Sequence, residues 1–499
     1  MFIDELKKSL ANAIQQTENG ANGFSSSGNP ILDMNFKMSS YRNLTADRIC
    51  YDFHEAMTFD AMTAIKFLFF ARDVRGGMGE RRFFRVAFKH LAEVAEPCAI
   101  ALIPLIAEYG RWDDVVTLCG SINPVIDKAV VRLIREQLRQ DYINLCAGKP
   151  ISLLAKWMPS ENASSAETKA MAANISLALG ASRKEYRKLL SRFRKYIDIV
   201  ERKMSGNDWE SIEYPRVPSR ANLIYKDAFL KHDPSRRADY LEKVANGEKK
   251  INASTLFPHD VLHKYGRYGS LLDATIEALW KALPDYVQGN ESTIVVSDGS
   301  GSMYINSLGD SEITSAEVAN ALAIYFAERC KGQFKDQYIT FSKRPQLVHL
   351  FGTLLNKKNI VASHDECANT NIYAVFQLIL NTAIQARMKQ EDLPGNVLII
   401  SDMEFDSCGE NATETLFGKI RTEYEANGYK LPRLAFWNVC GRTETFPVQT
   451  NGLGVSLVSG FSPVVVSMVL SGKTDPYEVL LEKLNSERYS IIERSLKNA

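Results

Sequence analysis

The hydrophobic pattern of the chain changes near residue 292, and this change limits what the chain can fold into. Between Pro30 and about residue 285, apolar residues recur three and four positions apart, for example in 59–71 and 80–94, which predicts amphipathic helices. From residue 292 onward, short apolar runs alternate with helical stretches. This alternation predicts an α/β fold, with a doubly wound, mostly parallel sheet and helices on both faces.

Six apolar runs are the predicted strands, and they are TIVVS (293–297), QYITF (337–341), QLVHLF (346–351), NVLIIS (396–401), RLAFWNV (433–439) and VSLVS (455–459). In the first half, short helices broken by Gly or Pro suggest helix pairs stacked in a solenoid of the HEAT type. No strict sequence period accompanies them. We therefore predict an α-helical repeat module followed by a doubly wound α/β domain.

The chain divides into four predicted parts. They are an N-terminal helix with a flexible Gly/Ser/Asn-rich linker (1–29), the helical-repeat module (30–290), the α/β domain (291–472) and a C-terminal helix, expected at about 475–497 (473–499). A chain of 499 residues with 45% hydrophobic residues is long and apolar enough for this organisation.

Composition also indicates a cellular compartment. No apolar stretch approaches the roughly 20 residues of a membrane span, and the N-terminus lacks the features of a signal peptide. The eight cysteines form no CxxC pair, so they are interpreted as reduced thiols. These features predict a cytoplasmic protein without a membrane partner.

Three segments place oxygen-bearing side chains after predicted strands or before a helix. Asp298, Ser300 and Ser302 follow the first strand, Thr370 precedes a helix, and Asp402 follows the strand at 396–401. Open α/β sheets bind ligands at the carboxyl ends of their strands. Two carboxylates and three hydroxyls form a hard-oxygen set that suits Mg²⁺ or another divalent cation. Each segment alone is also typical of a Gly/Ser turn or a helix cap.

This pattern resembles the metal-ion-dependent adhesion site of von Willebrand factor A domains, and all five positions match. The resemblance implies that Ser300, Ser302 and Thr370 coordinate the metal, that Asp298 and Asp402 contact it directly or through water, and that an acidic group of a ligand completes the shell.

The helical half resembles TROVE-related proteins, which join a helical module to a von Willebrand A domain. The resemblance rests on ARDVRGGMGERRFF (71–84), EYGRWDDV (108–115), AKWMPS (155–160) and the later FWNV and LVSGFSP. The same pairing of domains occurs in the Ro autoantigen family, whose helical ring binds small structured RNAs and the ends of misfolded RNAs. By analogy the resemblance implies RNA binding, although no single RNA contact can be transferred to this sequence.

The distribution of charge agrees with that analogy. Residues 291–499 contain 19 Lys and Arg against 24 Asp and Glu, whereas residues 1–290 are net +6 within a chain of net +1. Residues 181–250 alone contain 18 basic and 11 acidic side chains. A basic surface of this kind neutralises phosphates and releases counterions. The alternative is a solvated helical face.

A single helix is predicted from Ser182 to Met204, with one apolar face and basic residues elsewhere. The loop 75–82 resembles a phosphate-binding loop but lacks GK[ST], so its glycines are expected to end one helix and allow close packing. The candidate RNA-binding residues are Arg183, Lys184, Arg187, Lys188, Arg192, Arg194 and Lys195 on the helix, and Arg75 and Arg81 in the loop.

No catalytic constellation is recognisable. His259 and His263 have the spacing of metal ligands on a helix, but HDVLH lacks the glutamate of HExxH, and GxSxG is absent. The leading hypothesis is therefore a non-catalytic, Ro-like protein that holds structured or misfolded small RNA on the basic helical module and binds a ligand or partner through a metal-dependent A domain. The alternative is a protein-interaction adaptor whose A domain recruits an acidic partner such as an ATPase or nuclease.

Overall fold

The computed structural model describes residues 14–16, 22–197, 199–266, 270–287, 292–305, 312–341, 344–364, 371–403, 413–440, 455–462 and 475–497. The chain forms two compact units. The sheet unit contains residues 1–63 and 253–484, and the helical unit contains residues 64–252 and 485–499.

The helices as far as residue 252 are α1 (Pro30–Lys37), α2 (Ala46–Arg72), α3 (Arg81–Val94), α4 (Glu96–Leu102), α5 (Ile106–Tyr109), α6 (Trp112–Val116), α7 (Pro124–Cys146), α8 (Leu154–Trp157), α9 (Ala166–Leu179), α10 (Arg183–Ile197), α11 (Val200–Ser205), α12 (Ser219–Ile224), α13 (Lys226–His232) and α14 (Pro234–Ala245). The later helices are α15 (Pro258–Leu262), α16 (Ala274–Lys281), α17 (Ser302–Ile305), α18 (Ser315–Arg329), α19 (Leu354–Ser363), α20 (Ile372–Gln385), α21 (Thr413–Ala426), α22 (Pro476–Leu484) and α23 (Glu487–Lys497).

The strands are β1 (Ile14–Gln16), β2 (Asn22–Phe24), β3 (Thr293–Asp298), β4 (Gln337–Phe341), β5 (Leu347–His349), β6 (Asn396–Ser401), β7 (Arg433–Asn438) and β8 (Val455–Ser459). Strands β3 to β8 form one mixed sheet in the order β5-β4-β3-β6-β7-β8, in which only β5 runs antiparallel to its neighbour. The prediction of a helix-rich chain with a C-terminal α/β part is confirmed.

Both faces of the sheet are covered, which explains the uninterrupted apolar runs in its central strands. On one face, Ile294 and Val296 of β3 belong to a core that also contains Phe376 of α20. On the other face, Phe326 of α18 meets Trp437 of β7 edge-on, with 5.6 Å between ring centroids. Every residue of β3 and β6 is buried.

The strand order creates a switch point between β3 and β6. The chain leaves β3 for α18 and β4 on one side, while β6 lies on the other side of β3. Their parallel register pairs Ser297 with Ile400, so Asp298 and Ser401 end adjacent strands at the same level. In open α/β sheets, ligands bind in the crevice at such a point.

The helical unit is built around a cluster of aromatic rings. Phe69 of α2 makes edge-on contacts with Phe84 and Phe88 of α3 and with Tyr109 of α5, at centroid distances of 5.3–6.4 Å. The loop between α2 and α3 comes so close to α2 that a Cβ atom on Gly77 would lie 2.0 Å from the carbonyl oxygen of Phe70. This agrees with the packing role expected for the loop glycines.

Two predicted helices are wrong in their extent. The helix expected over 182–204 consists of α10 and α11, because Ile199 has extended backbone angles (φ −68°, ψ 140°). The final helix expected over about 475–497 consists of α22 and α23, because Asn485 and Ser486 interrupt it, and these residue types favour helix ends.

The compact units also divide the chain differently from the predicted boundaries. Residues 253–284 belong to the sheet unit, since α15 packs on α18 and Glu277 of α16 accepts hydrogen bonds from the first amides of α19. Strands β1 and β2 pair within 1–29, the segment expected to contain an N-terminal helix and a flexible linker, and residues 1–13 lie outside the described part. Among the described helices, none is both long and apolar enough to cross a bilayer.

Candidate metal site and basic surface

Two buried carboxylates lie at the carboxyl ends of neighbouring parallel strands. Asp298 is the last residue of β3 and is 1% exposed, and Asp402 directly follows β6 and is 2% exposed. Because β3 and β6 lie on either side of the switch point, the fold places both residues at the edge where α/β sheets bind ligands. Buried carboxylates in proteins are typically paired or coordinate metals.

The loop after β3 is organised around Asp298. The backbone N–H of Ser300 donates a hydrogen bond to Oδ1 of Asp298 at 2.9 Å, which closes a tight Asx-type turn. The hydroxyl oxygens of Ser300 and Ser302 are 2.9 Å apart, and Ser302 is the first residue of α17. The local sequence DGSGS therefore brings one carboxylate and two hydroxyls together.

The sequence analysis missed Ser401, which links the two strands at this site. Its hydroxyl donates to Oδ2 of Asp298 at 2.5 Å and accepts from the backbone N–H of Met403 at 3.0 Å. Met403 has a positive φ of 65°, which is unusual for a residue other than glycine. The signal that could have identified Ser401 is its position directly before Asp402, at the end of a buried strand.

Four of the five predicted metal ligands therefore lie at the carboxyl ends of β3 and β6, and Thr370 lies outside the described residues. Within the described part of the chain, no group of three or more His, Cys, Asp or Glu side chains is placed to hold a metal ion. The predicted set does not need such a group, because it combines two carboxylates with hydroxyls. These oxygen donors suit a hard cation.

The ends of β7 and β8 are covered by the last turn of α1 and the segment after it. The amide of Ser39 donates to the hydroxyl of Ser459 at 3.0 Å, and the side-chain amide of Asn438 donates to the carbonyl of Phe36 at 3.0 Å. Ser39, Asn438 and Ser459 are buried. The hydrogen-bonding groups of these polar residues have partners within the fold, so we interpret the residues as structural.

The candidate RNA-binding residues of α10, except Arg194, form a basic surface outside its buried stripe. Tyr186, Leu190 and Phe193 are buried on one side of the helix. At 100° per residue, the lysines of α10 lie almost directly opposite. The exposed cations, which we call the basic face, are Arg183, Lys184, Arg187, Lys188, Arg192 and Lys195.

Arg194 does not belong to the basic face. Its guanidinium donates to the carbonyls of Ala155 and Met158 and to the hydroxyl of Ser160, at 2.7–2.8 Å. A guanidinium held by three acceptors fixes the segment around α8 and is not free to follow a phosphate backbone. Its position four residues after Leu190, at the edge of the apolar stripe, was the signal for this structural role.

The two loop candidates also differ from each other. Arg75 donates to the backbone carbonyl of Glu108 at 3.1 Å, so it fixes the turn before α6. Arg81 is the exposed first residue of α3.

An exposed aromatic ring accompanies the basic face. Tyr142 of α7 is 45% exposed, and the guanidinium of Arg192 lies 5.0 Å from its ring centroid. Arginine on an aromatic ring is a common arrangement where proteins contact bases and phosphates. A cation–π pair can equally stabilise a helical surface by itself.

The two histidines have different environments. His259 is buried and lies edge-on to Phe461 at 5.7 Å. His263 bonds through Nδ1 to Oε1 of Glu317 at 3.0 Å, and this hydrogen bond is the main reason that its pKa is raised above 6.5. The charges of Glu317 and Glu312 raise the pKa further, whereas partial burial and Lys264 lower it.

Comparison with known proteins finds domains and a relative without an assigned activity. Residues 124–288 match the family model described as a domain of unknown function, DUF2828, and residues 292–495 match another domain of unknown function, DUF7788. The chain is also similar to Uncharacterized protein L728 of Acanthamoeba polyphaga mimivirus, with 27% identity over 509 aligned residues, which cover 94% of this chain and 86% of the viral protein. The two matched segments meet where the hydrophobic pattern changes.

Proposed function

We propose that this chain is a non-catalytic, cytoplasmic RNA-binding protein that holds small structured RNA on the basic face of α10. The observation that carries the proposal is the exposure of six cations on one helix whose apolar stripe is buried. Such a surface neutralises phosphates and gains free energy from counterion release. The proposed helical module is of the TROVE type with HEAT-like stacking, as in Ro-like proteins.

The local charge balance supports this role for α10. Arg183 and Arg187 are 3.9 and 3.7 Å from Glu161, so part of their charge is compensated. The lysines at 184, 188 and 195 have no carboxylate partner within the described part of the chain. These lysines form the centre of the proposed phosphate track.

A charge-matched comparison tests the proposal. Reversing Lys184, Lys188 and Lys195 to Glu should weaken the binding of structured RNA. It should also lower the slope of log affinity against log salt by about 0.7–0.9 for each phosphate that the variant no longer neutralises. The control reverses Lys231, Lys249 and Lys250, three exposed lysines from the same basic region. Equal RNA affinity and equal salt slope in the two variants would mean that the basic face of α10 is only a solvated surface. That result would favour the adaptor hypothesis.

We further propose that the sheet unit contains a von Willebrand A-like domain, which binds Mg²⁺ and, through it, an acidic group of a ligand or protein partner. Asp298, Ser300, Ser302 and Asp402 would hold the cation, together with Thr370. The position of these residues at the switch point supports the proposal, because it gives two buried carboxylates and two hydroxyls one common edge. The cation would supply positive charge between the carboxylates.

Mg²⁺-dependent stability tests this site. Mg²⁺ should raise the melting temperature of the wild-type protein, because a ligand that binds the folded state stabilises it. Asp298→Asn should remove this response. Glu391→Gln, which removes an exposed carboxylate from the same unit, should keep it. An equal Mg²⁺ response in wild type and Asp298→Asn would contradict the proposal.

A further inference from the structure

A second group of cations lies in the helical unit, away from α10 in sequence. Arg72 donates through Nε and Nη2 to Oδ2 of Asp114, at 2.9 and 2.6 Å, and both side chains are almost fully buried. Arg85 bonds to Oδ1 of Asp114 at 2.7 Å and to Asp113 at 3.0 Å. Arg72 and Arg85 therefore compensate the charges of both carboxylates, Asp113 and Asp114. We call the whole group the arginine cluster, and its members are Arg72, Arg81, Arg85, Arg111, Asp113 and Asp114.

Arg81 and Arg111 carry the excess charge of the arginine cluster. Neither guanidinium is paired with a carboxylate in the described part of the chain. Partial loss of hydration is the main cause that lowers the pKa of both, the positive charge of Arg81 lowers the pKa of Arg111 further, and the charge of Asp113 raises the pKa of each. Arg81 lies one turn before Arg85 on α3, and the amide of Arg111 bonds to Asp114, so both arginines border the carboxylates that Arg85 contacts. An anion bound beside them would offset their excess charge.

An aromatic ring fixes one of these arginines. The backbone N–H of Arg111 donates to Oδ2 of Asp114 at 3.1 Å, and its guanidinium lies 5.3 Å from the ring centroid of Trp157. Lys156 lies 6.0 Å from the same ring, and it pairs with Glu201 at 3.5 Å, so it adds little net charge. The backbone of Arg111 is therefore fixed by Asp114, and its guanidinium lies beside the ring of Trp157.

The charge of the arginine cluster indicates the class of anion. Four arginines and two aspartates leave a net charge of +2. A phosphate monoester carries about −1.5 to −2 at pH 7, whereas a phosphodiester carries about −1. Two guanidinium groups can each form paired hydrogen bonds with phosphate oxygens. A monoester therefore matches the cluster better than an internal phosphate of a nucleic-acid strand.

We propose that Arg81 and Arg111 bind a phosphate monoester group, either of a nucleotide or at the end of an RNA strand. No member of the arginine cluster belongs to the basic face of α10, and the site would recognise one doubly charged group rather than a length of phosphate backbone. The proposal does not depend on the RNA-binding function proposed above, since inorganic phosphate or a mononucleotide is enough to test it.

Calorimetric titration of the full chain at constant ionic strength tests this site. The probes are inorganic phosphate, AMP, and a short oligoribonucleotide with and without a 5′-phosphate. We expect the wild-type protein to prefer the phosphorylated over the unphosphorylated strand about tenfold or more, which corresponds to about 1.4 kcal/mol. The double variant Arg81→Gln/Arg111→Gln should lose this preference and the binding of free phosphate. Binding of AMP would identify a nucleotide site, and binding of the phosphorylated strand alone would identify a strand end.

The control removes the same charge elsewhere. Lys184→Gln/Lys188→Gln should weaken the binding of both oligoribonucleotides but keep the preference for the phosphorylated one. If the double arginine variant does not fold, Arg81→Gln alone, which changes an exposed side chain, should lower the preference severalfold. A wild-type protein without preference for any phosphorylated probe would overturn the proposal, and so would a preference that survives the arginine substitutions.

Discussion

The C-terminal helix α23 should stabilise the helical unit through one buried charge pair. Asp73 is fully buried and accepts hydrogen bonds from Nε of Arg488 and from Nη2 of Arg488 at 2.7 Å. The hydroxyl of Tyr489 donates to the same carboxylate at 2.9 Å, and the amide of Arg75 donates at 3.0 Å. The substitution Arg488→Met removes the guanidinium and keeps much of the packing of its stem.

The expected cost follows from these contacts. Breaking a buried pair from one side costs about 3–5 kcal/mol, because the other charge stays buried. Arg488 is 32% exposed, and Asp73 keeps the Tyr489 hydroxyl and the Arg75 amide, so we expect about 2–3 kcal/mol here. Asp73→Asn should cost a similar amount. The double variant should cost less than the sum of the two by about 1–2 kcal/mol.

Hydrogen–deuterium exchange measures this effect in one unit at a time, which a single melting temperature of a two-unit chain does not. Amides of α3, α4 and α23 should exchange about 30- to 150-fold faster in Arg488→Met, since each factor of ten corresponds to about 1.36 kcal/mol. The exchange of β3 and β6 should not change. The control, Lys497→Met, removes an exposed pair with Glu493 on the same helix and should cost at most about 0.5 kcal/mol.

The pH dependence provides an independent check. Burial alone would raise the pKa of Asp73, but the hydrogen bond from Arg488, with the backbone amides, lowers it overall below 3.8. A carboxylate whose pKa is lowered on folding stabilises the fold above its unfolded pKa, and this stabilisation is lost as the pH falls through the folded pKa. The difference between wild type and Arg488→Met should therefore shrink on acidification below about pH 4. Unchanged exchange in Arg488→Met, or zero coupling in the double variant, would refute this account of α23.

Three further predictions have defined outcomes. His263→Gln should destabilise the protein most below pH 6.5, with the difference vanishing as the pH rises through the raised pKa, which denaturant unfolding between pH 5.5 and 8.5 would show. Gly77→Ala should lower the free energy of unfolding, measured with denaturant, by about 1–3 kcal/mol or more, because the new Cβ would lie 2.0 Å from a backbone carbonyl oxygen. In the control Gly395→Ala, the new Cβ meets nothing closer than 3.5 Å, so the loss should be far smaller. Arg194→Met should lower thermal stability without a specific loss of RNA affinity, whereas Lys195→Met should lower RNA affinity and keep thermal stability. A loss of RNA affinity without a loss of stability in Arg194→Met would mean that Arg194 belongs to the basic face.

The central strands could be predicted because their physical cause is local. A parallel strand covered on both faces must be apolar throughout, so β3 and β6 are visible as continuous apolar runs in the sequence. The edge strand β5 is shorter than predicted and antiparallel to β4. Its direction depends on which neighbour it pairs with, and no pattern within 346–351 contains that information.

The candidate site was predictable to the same extent. Asp298, Ser300 and Ser302 lie in one short loop, so their convergence follows from their spacing. Ser401 reaches Asp298 from another strand, 103 residues away, and only the register of β3 and β6 brings them together. A serine before an aspartate is too common to indicate such a contact from sequence alone.

One long-range contact has a consequence for how the chain divides. Asp73 and Arg488 are 415 residues apart, yet their pair belongs to the helical unit, together with Tyr489, which stacks on Tyr109 at 5.6 Å. Residues 485–495 nevertheless fall within the DUF7788 match, which begins at residue 292. The limits of the sequence family and those of the compact unit thus differ here. A family match covers a continuous stretch of sequence, whereas a compact unit includes every segment that packs on its hydrophobic core, even one distant in sequence. A helical unit that ends at residue 252 would lack the helix that neutralises its buried Asp73.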